Sequence, residues 1–523
     1  MGLITDLLSS TGLLSPADPV EAAKLAAQLS EDLKLSILPH SISASNGLIF
    51  AVGRRDDERL LCVAARPTNS ALIEFVGKEL SASIDGERIS ARACVANHAN
   101  AIDLRKRLPF TRPQVIGLKK SFGFGDRLGL ATPGHVRAVR PTALRPFFAQ
   151  QSVREMTRTG RDHEAVLDDA TWGVLEEAYR EPHGADADHL KTTEDADACI
   201  AAGFTFYTAD PGYYVDASAD TEPMSAIIQK FSELPWKDLD TTPADLRKRL
   251  LTAPIRVSAK LTVDFTEETL SRAAAKYARA LLHVLKFYRH LAAKLPEDAF
   301  ELEISVDETE TPTSLAEHCY IASELRRLGV RWVSLAPRFV GAFEKAVDYI
   351  GDPGEFERKF VGHVEIAREL GPYKLGLHSG SDKFAIYPII ARHAGDLLHV
   401  KTAGASYLEA LRVVARLDPT LFRELFAFAV SRYEEDRKGY HVSARTSRVP
   451  PVDSFKDAQL EKLFELFDAR QVLHVTFGSV LTARDETGAS RFRDRLLSLL
   501  KRNPEIYAAA VEKLLERHLR PFA

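Results

Sequence analysis

The sequence is poor in the features that announce most functional classes. It holds four cysteines, Cys62, Cys94, Cys199 and Cys319, in 523 residues. They are scattered without a C-x-x-C pair, which argues against a disulfide framework and against a thiolate zinc site. Buried, reduced thiols are the expectation. Basic residues are in no excess: 69 Lys and Arg stand against 73 Asp and Glu, for a net charge of −4. The electrostatic footprint of a nucleic-acid binder is therefore missing. No run approaches the ~20 apolar residues that span a bilayer. The N-terminus MGLITDLLSS has no basic n-region and no signal-type cleavage site. Asp6 stands where a myristoylation signal needs Ser or Thr. No segment is of low complexity. A cytoplasmic protein without nucleic-acid or membrane partners is expected.

What is present is an ordinary globular composition, 45% hydrophobic and 27% charged. The length exceeds the about 250 residues of a barrel core. Residues 1–110 read as a separate α+β module, in which LIFAVGRR and RLLCVAARP flank Asp56–Asp57–Glu58 as a hairpin. No catalytic constellation falls there. Packing against the rest of the chain, or against a second copy in a homo-oligomer, is its expected role.

From about residue 119 a different pattern sets in: a short apolar strand, a polar tip, then a helix. SFGFGDRLGLAT, RPFFAQQS, ADHLKTT and FTFYTADP supply four such units. The spacing then breaks over residues 212–298, where KLTVDF reads as an extra strand and a long helix is expected over about 266–294. FELEISVDE, VRWVSLAPRF, YKLGLHSGSDK and LLHVKTAG complete eight. The expectation is a (β/α)8 barrel over 111–404, with its chemistry at the C-terminal strand ends. Residues 405–523 read as a mainly helical extension, with QVLHVTFGSVL as one strand-like run and Ser406 with Glu409 as a capping box.

Side chains of three chemical kinds gather at these tips. His189, His378 and His399 lie at or near the ends of three strands. A lone strand-end histidine is ordinarily a core or hydrogen-bonding residue. Three at equivalent positions suit one divalent ion with open positions for substrate. Asp126, Asp210, Asp307 and Glu308 are strand-end carboxylates, and a pair flanking a sugar carbon can remove a proton from one face and return it to the other. Asp126 inside SFGFGDRLGL is the least easily explained without a partner or a role. Arg154, Lys191, Arg338, Lys383 and Lys401 offer charge-assisted bonds to an anionic substrate. Lys401 or Lys191 could instead form a Schiff base. The HSGSDK loop could hold an anion on its backbone N–H groups.

SFGFGDRLGLATPGH, FAQQSVREMTRT, DHLKTT, SVDETETPTS, SLAPRFVG, LHSGSDKF and HVKTAGASYLEA occur in this order over about Ser121–Ala410. In them the chain resembles the tagaturonate epimerase family, whose members interconvert D-tagaturonate and D-fructuronate at C3 in bacterial hexuronate catabolism. The resemblance implies a divalent-metal enzyme, with Zn, Mn, Co or Ni as the cation, acting by acid–base transfer of a proton through an enediolate. On the motifs, the metal is assigned to His189, His378 and His399. The proton-transfer pair is assigned to Asp126 and Asp307, with Glu308, Glu303 and Asp210 as alternatives for the second. Substrate contacts are assigned to Gln151, Arg154, Lys191, Arg338, Lys383 and Lys401. A sugar-acid aldolase or lyase with a Schiff-base lysine, and a non-catalytic sugar-acid binding barrel, are the rival readings.

Overall fold

A computed structural model describes residues 2–523. The N-terminal sheet is antiparallel, in the order Ser36–Ile37, Leu48–Arg55, Glu58–Ala65, Glu87–Val95, Gly77–Ile84. The expected hairpin is there, with Arg55 paired to Glu58 and Asp56 turned to φ +55°. Strand alternation sorts its apolar residues between two cores. Ile49, Ala51 and Cys62 pack with Leu25, Leu29 and Leu33 of the helix Pro19–Leu33. Leu48, Phe50, Val52 and Val63 join the core of the barrel. All four cysteines are free and buried.

The eight parallel strands are Ser121–Phe124, Arg145–Ser152, Gly184–Leu190, Phe206–Ala209, Glu301–Ser305, Ser334–Ala336, Lys374–Leu377 and Leu398–Thr402. They follow one another around a closed barrel, and the eighth returns to the first with Thr402 opposite Phe124. KLTVDF is not among them. Thr262–Val263 pairs with Ile255–Arg256 in a small hairpin outside the barrel. The long helix after it runs Glu267–Lys294, capped by Thr266 and Thr269. Among the described residues no helix is long and apolar enough to cross a membrane.

The C-terminal part closes over the barrel with helices that include Ala405–Leu417, Pro419–Asp436 and Pro504–Leu519. QVLHVTFGSVL is helical, as Phe467–Val475 and Phe477–Thr482, not a strand. Val472, Leu473, Val475, Phe477, Val480 and Leu481 are all buried, so the apolar run fills an interior that tertiary packing provides. Ser406 and Glu409 make no capping box. Gly404 caps that helix, Ser406 pairs with His135, and Glu409 pairs with Arg412. Helix Pro504–Leu519 crosses Thr132–Val139 at Gly134, where a Cβ would stand 2.6 Å from the Ala508 carbonyl oxygen. That close approach seats the C-terminal helix against the barrel wall.

Candidate active site

The barrel interior is polar from its middle layer upward. Lys401, on strand eight, is its hub. The ammonium lies 2.9 Å from Asp186 Oδ2, 2.8 Å from Asp188 Oδ1, 2.6 Å from Glu303 Oε1 and 2.7 Å from Thr208 Oγ1. Glu303 also accepts from Ser334 Oγ at 2.6 Å and faces His378 Nε2 at 2.8 Å. Room for this carboxylate comes from Gly376, since a Cβ there would meet Glu303 Oε2 at 2.7 Å. Above this layer His378 Nδ1 stands 3.2 Å from Asp307 Oδ1, and Ser305 Oγ donates to the same carboxylate.

Asp188 and His189 are neighbours in sequence, yet both face the site. In a regular strand they would point to opposite sides. Here Tyr207 pairs with Ala187 and Ala209 with Leu190, so two residues oppose Thr208 alone, and His189 takes φ +53°. This bulge turns the imidazole back beside Asp188, 4.9 Å from the His378 ring. One ligand atom each of Asp188, His189 and His378 lie within 4.8 Å of one another.

Burial disfavours a charged imidazole, but Asp188 and Asp210 outweigh it and hold His189 up at about 9. Asp307 and Glu303 likewise hold His378 up at about 10, against burial and against Lys401. Burial opposes charge on the carboxylates too. Lys401 nevertheless keeps Asp188 and Glu303, and His378 keeps Asp307, well below the ordinary range. The five carboxylates Asp186, Asp188, Asp210, Glu303 and Asp307 pair directly with three cations, Lys401 and the two imidazoles when protonated, while Lys191, Lys345 and Lys374 act on them from farther out. The mixed N and O donors of Asp188, His189 and His378, each with one ligand atom within 4.8 Å of the others, fit a borderline divalent cation. Three protein ligands would leave positions for substrate.

Asp188, His189 and Lys401 line a small pocket that shares Arg154, Asp307, Lys345 and His378 with a cavity of about 530 Å³, on which Arg338 and Tyr440 also lie. Asp307 is the cluster carboxylate that reaches it: its side chain is 20% exposed, against 7% for Asp188 and none for Glu303. Arg154 is paired with Glu308 at 2.9 Å. Arg338 has no carboxylate partner among the described residues. Its Nη1 reaches only the Asp307 carbonyl, at 3.5 Å, and its buried Nε has no partner.

Several residues assigned from sequence stand elsewhere. Asp126 is a loop clamp: Oδ1 accepts from the N–H groups of Leu128 and Gly129, and Oδ2 from that of Ala131. It does not line the cavity. His399 shares a face with Lys401 as expected, but two residues earlier on a strand is a layer deeper. It packs between Phe147 and Phe206 with Nδ1 2.9 Å from Ser121 Oγ, and burial lowers its pKa. Asp188, not His399, is grouped with His189 and His378. Gln151 accepts from Arg161, whereas Gln150 points inward and donates to Asp188. Lys191 lies past the bulge, over the Tyr213 ring. Lys383 gives its three protons to the carbonyls of Glu344, Val347 and Ser381. Lys401 faces the cluster, but as a filled ammonium with a raised pKa rather than as a free amine. Asp188, Asp186 and Lys345 were not singled out. The D-x-D-H run of strand three was the signal available for the first two.

A model of the tagaturonate epimerase family matches residues 38–522 of the chain. The chain belongs to this family. It is 42% identical to the tagaturonate/fructuronate epimerase of Thermotoga maritima over 484 residues, which is 92% of this chain and 95% of that protein. The crystal structure of fructuronate-tagaturonate epimerase from Cohnella laeviribosi with one glycerol bound superposes with a TM-score of 0.88 at 35% identity, covering 96% of this chain and 99% of that one. The native Cohnella laeviribosi structure superposes with a TM-score of 0.87. The tagaturonate epimerase family is a family of isomerases, and this chain matches its model nearly end to end.

Proposed function

We propose that the protein interconverts D-tagaturonate and D-fructuronate by inverting C3, with a divalent cation held by Asp188, His189 and His378. The observation that carries this reading is the meeting of those three donors beside a cavity that His378 lines and whose wall presents the unpaired guanidinium of Arg338. A cation there would supply Lewis-acid polarisation of a ketone oxygen. Arg338 binds the substrate carboxylate, and a planar fork suits that group better than an ammonium would. Asp307, steadied by Ser305 and His378, takes and returns a proton at the substrate. Lys401 positions Asp188 and Glu303 and touches no substrate. This last point weighs against the rival aldolase reading through Lys401, because an ammonium among three carboxylates has no lone pair for a Schiff base.

The test is conversion of purified protein and tagaturonate to fructuronate, followed by NMR, before and after exhaustive chelation and with Mn, Co, Ni or Zn added back. Loss on chelation and recovery with at least one metal is expected. Full turnover with no metal by elemental analysis refutes the metal site. Binding without turnover under every metal refutes the epimerase and leaves the sugar-acid sensor.

A further inference from the structure

Tagaturonate and fructuronate are the uronates of tagatose and fructose. Counted from the carboxylate, the carbon that differs is C3, and the ketone is C5. Transfer of the C3 proton through an enediolate, which the family resemblance implies, therefore does not fit this pair. C3 is one carbon too far from the ketone, and equally too far from the carboxylate, for its C–H bond to be acidified by either. What C3 does carry is a hydroxyl β to the ketone, the arrangement that makes a C–C bond cleavable by aldol chemistry.

The site agrees with that difference. Inversion by proton exchange calls for bases on two sides of C3. Asp126 is absent from the cavity, Glu155 is held by Arg127, Glu308 is held by Arg154, and Glu344 on the cavity wall accepts from Ser443 and Gln471. The cluster offers the cavity one carboxylate, Asp307. Bond cleavage needs one base, and it needs both fragments to stay bound. A cut between C3 and C4 leaves the carboxylate on one three-carbon piece and the ketone on the other. The cavity has a handle for each: Arg338 on its wall, and His378 of the Asp188–His189–His378 cluster, whose other two members line the adjoining pocket. At about 530 Å³ it lies within the range that encloses whole small ligands, with room for a three-carbon piece to turn.

Resting on the function proposed above, we infer that the protein inverts C3 by breaking and remaking the C3–C4 bond. Asp307 takes the proton of the C3 hydroxyl. The C3–O bond becomes a carbonyl, the C3–C4 bond breaks, and its electron pair passes to C4 and the C5 oxygen. The products are the enediolate of dihydroxyacetone and 2-hydroxy-3-oxopropanoate. Rotation about C2–C3, with the carboxylate still on Arg338, presents the other face of the aldehyde. C4 adds back, and Asp307 returns the proton to the new C3 alkoxide. Nothing is oxidised overall, and the hydrogen on C3 never leaves.

The experiment uses the wild-type enzyme with the metal that supports turnover. Tagaturonate is equilibrated with fructuronate in D2O containing 18O, and competitive isotope effects are measured with deuterium at C3 and with 13C at C4. The inference expects protium and the original oxygen to stay on C3, a 13C effect at C4, and only a secondary deuterium effect at C3. Solvent deuterium at C3 would overturn it in favour of proton exchange. Solvent 18O at C3 would overturn it in favour of elimination and rehydration. A primary deuterium effect with the label retained, or no 13C effect at C4, would overturn it in favour of hydride transfer. In each of these cases the epimerase function stands. Absence of any conversion would overturn the function and this inference together.

Discussion

Strands one and three each deliver an aspartate at the C-terminal rim, Asp126 and Asp188, and the barrel treats them in opposite ways. The oxygens of Asp126 are filled by three backbone N–H groups of its own loop. Around it Arg127 is buried against Glu155 and over the Phe477 ring at 3.6 Å, and His135 stacks on Phe124. Every charge on that side is matched by a fixed partner. Asp188 is held instead by titratable and mobile-proton groups, Lys401 and His189. A carboxylate on backbone amides has its charge spent on the fold. One among imidazoles, beside a cavity, keeps that charge available for an ion or a substrate.

The sharpest way to press this contrast is at the cavity side. Asp307→Asn should lower kcat by about 10²–10⁴-fold, the range for one general acid–base group, while bound metal and melting temperature stay close to wild type. His378→Ala should lose both metal and turnover. Asp307→Asn turnover near wild type would remove the poised group from the argument.

On the closed side the largest effect is expected from pH. His135 is fully buried, and burial, partly opposed by Asp126, lowers its pKa to about 4. Its folded pKa lies below the unfolded value of about 6.5. The neutral imidazole therefore contributes fully above pH 6.5, and stability falls as pH drops from there toward 4. At ~1.4 kcal/mol per unit the loss is on the order of 3 kcal/mol. His135→Gln should flatten the dependence of denaturation midpoint on pH in that window. An unchanged slope would show that the helix after strand one is not sealed as described.

Arg338→Ala tests the open wall. Loss of a charge-assisted bond of about 1.5–3 kcal/mol should raise KM for the uronate about 10–150-fold, with kcat much less affected. The wild-type preference for tagaturonate over neutral tagatose should shrink with it. An unaltered preference would place the carboxylate elsewhere, with Lys345 and Arg154 next to be tried.

Asp126→Asn returns to the pair itself and should have the smallest effect on turnover. One carboxylate oxygen is replaced by a donor that cannot serve either the Leu128 and Gly129 amides or the Ala131 amide. A stability loss of about 1–3 kcal/mol is expected, with kcat of the folded enzyme within a few-fold of wild type. A large loss of kcat at unchanged stability would restore Asp126 as a proton-transfer group and erase the distinction between the two aspartates.

Much was legible in the sequence because it is local. The apolar run, polar tip and helix recurring eight times follow from short-range patterning, and so does the long helix begun by Thr266. His189, His378, Asp307 and Arg338 lie toward one mouth because strand ends in a barrel point there, whatever the details of closure. The misread elements were those whose state depends on what surrounds them. QVLHVTFGSVL carries β-branched residues that suit a strand and became helical where packing buries nearly every residue of the run, so that no one-sided period marks it as a helix. Asp188 was hidden by the rule of alternation, which a bulge opposite Thr208 breaks. Depth along a strand separated His399 from Lys401, although the period of two had correctly put them on one face.

By itself, then, the sequence determined the order of strands and helices, the rim at which chemistry gathers and the family to which the motifs belong, since each depends on neighbours a few residues away. The tertiary structure decided which charges are spent and which are free. Lys401 meets Asp186, Asp188 and Glu303 only because closure of the barrel brings strands three, five and eight around one axis. The field of such a cluster depends on distance and burial, not on spacing along the chain.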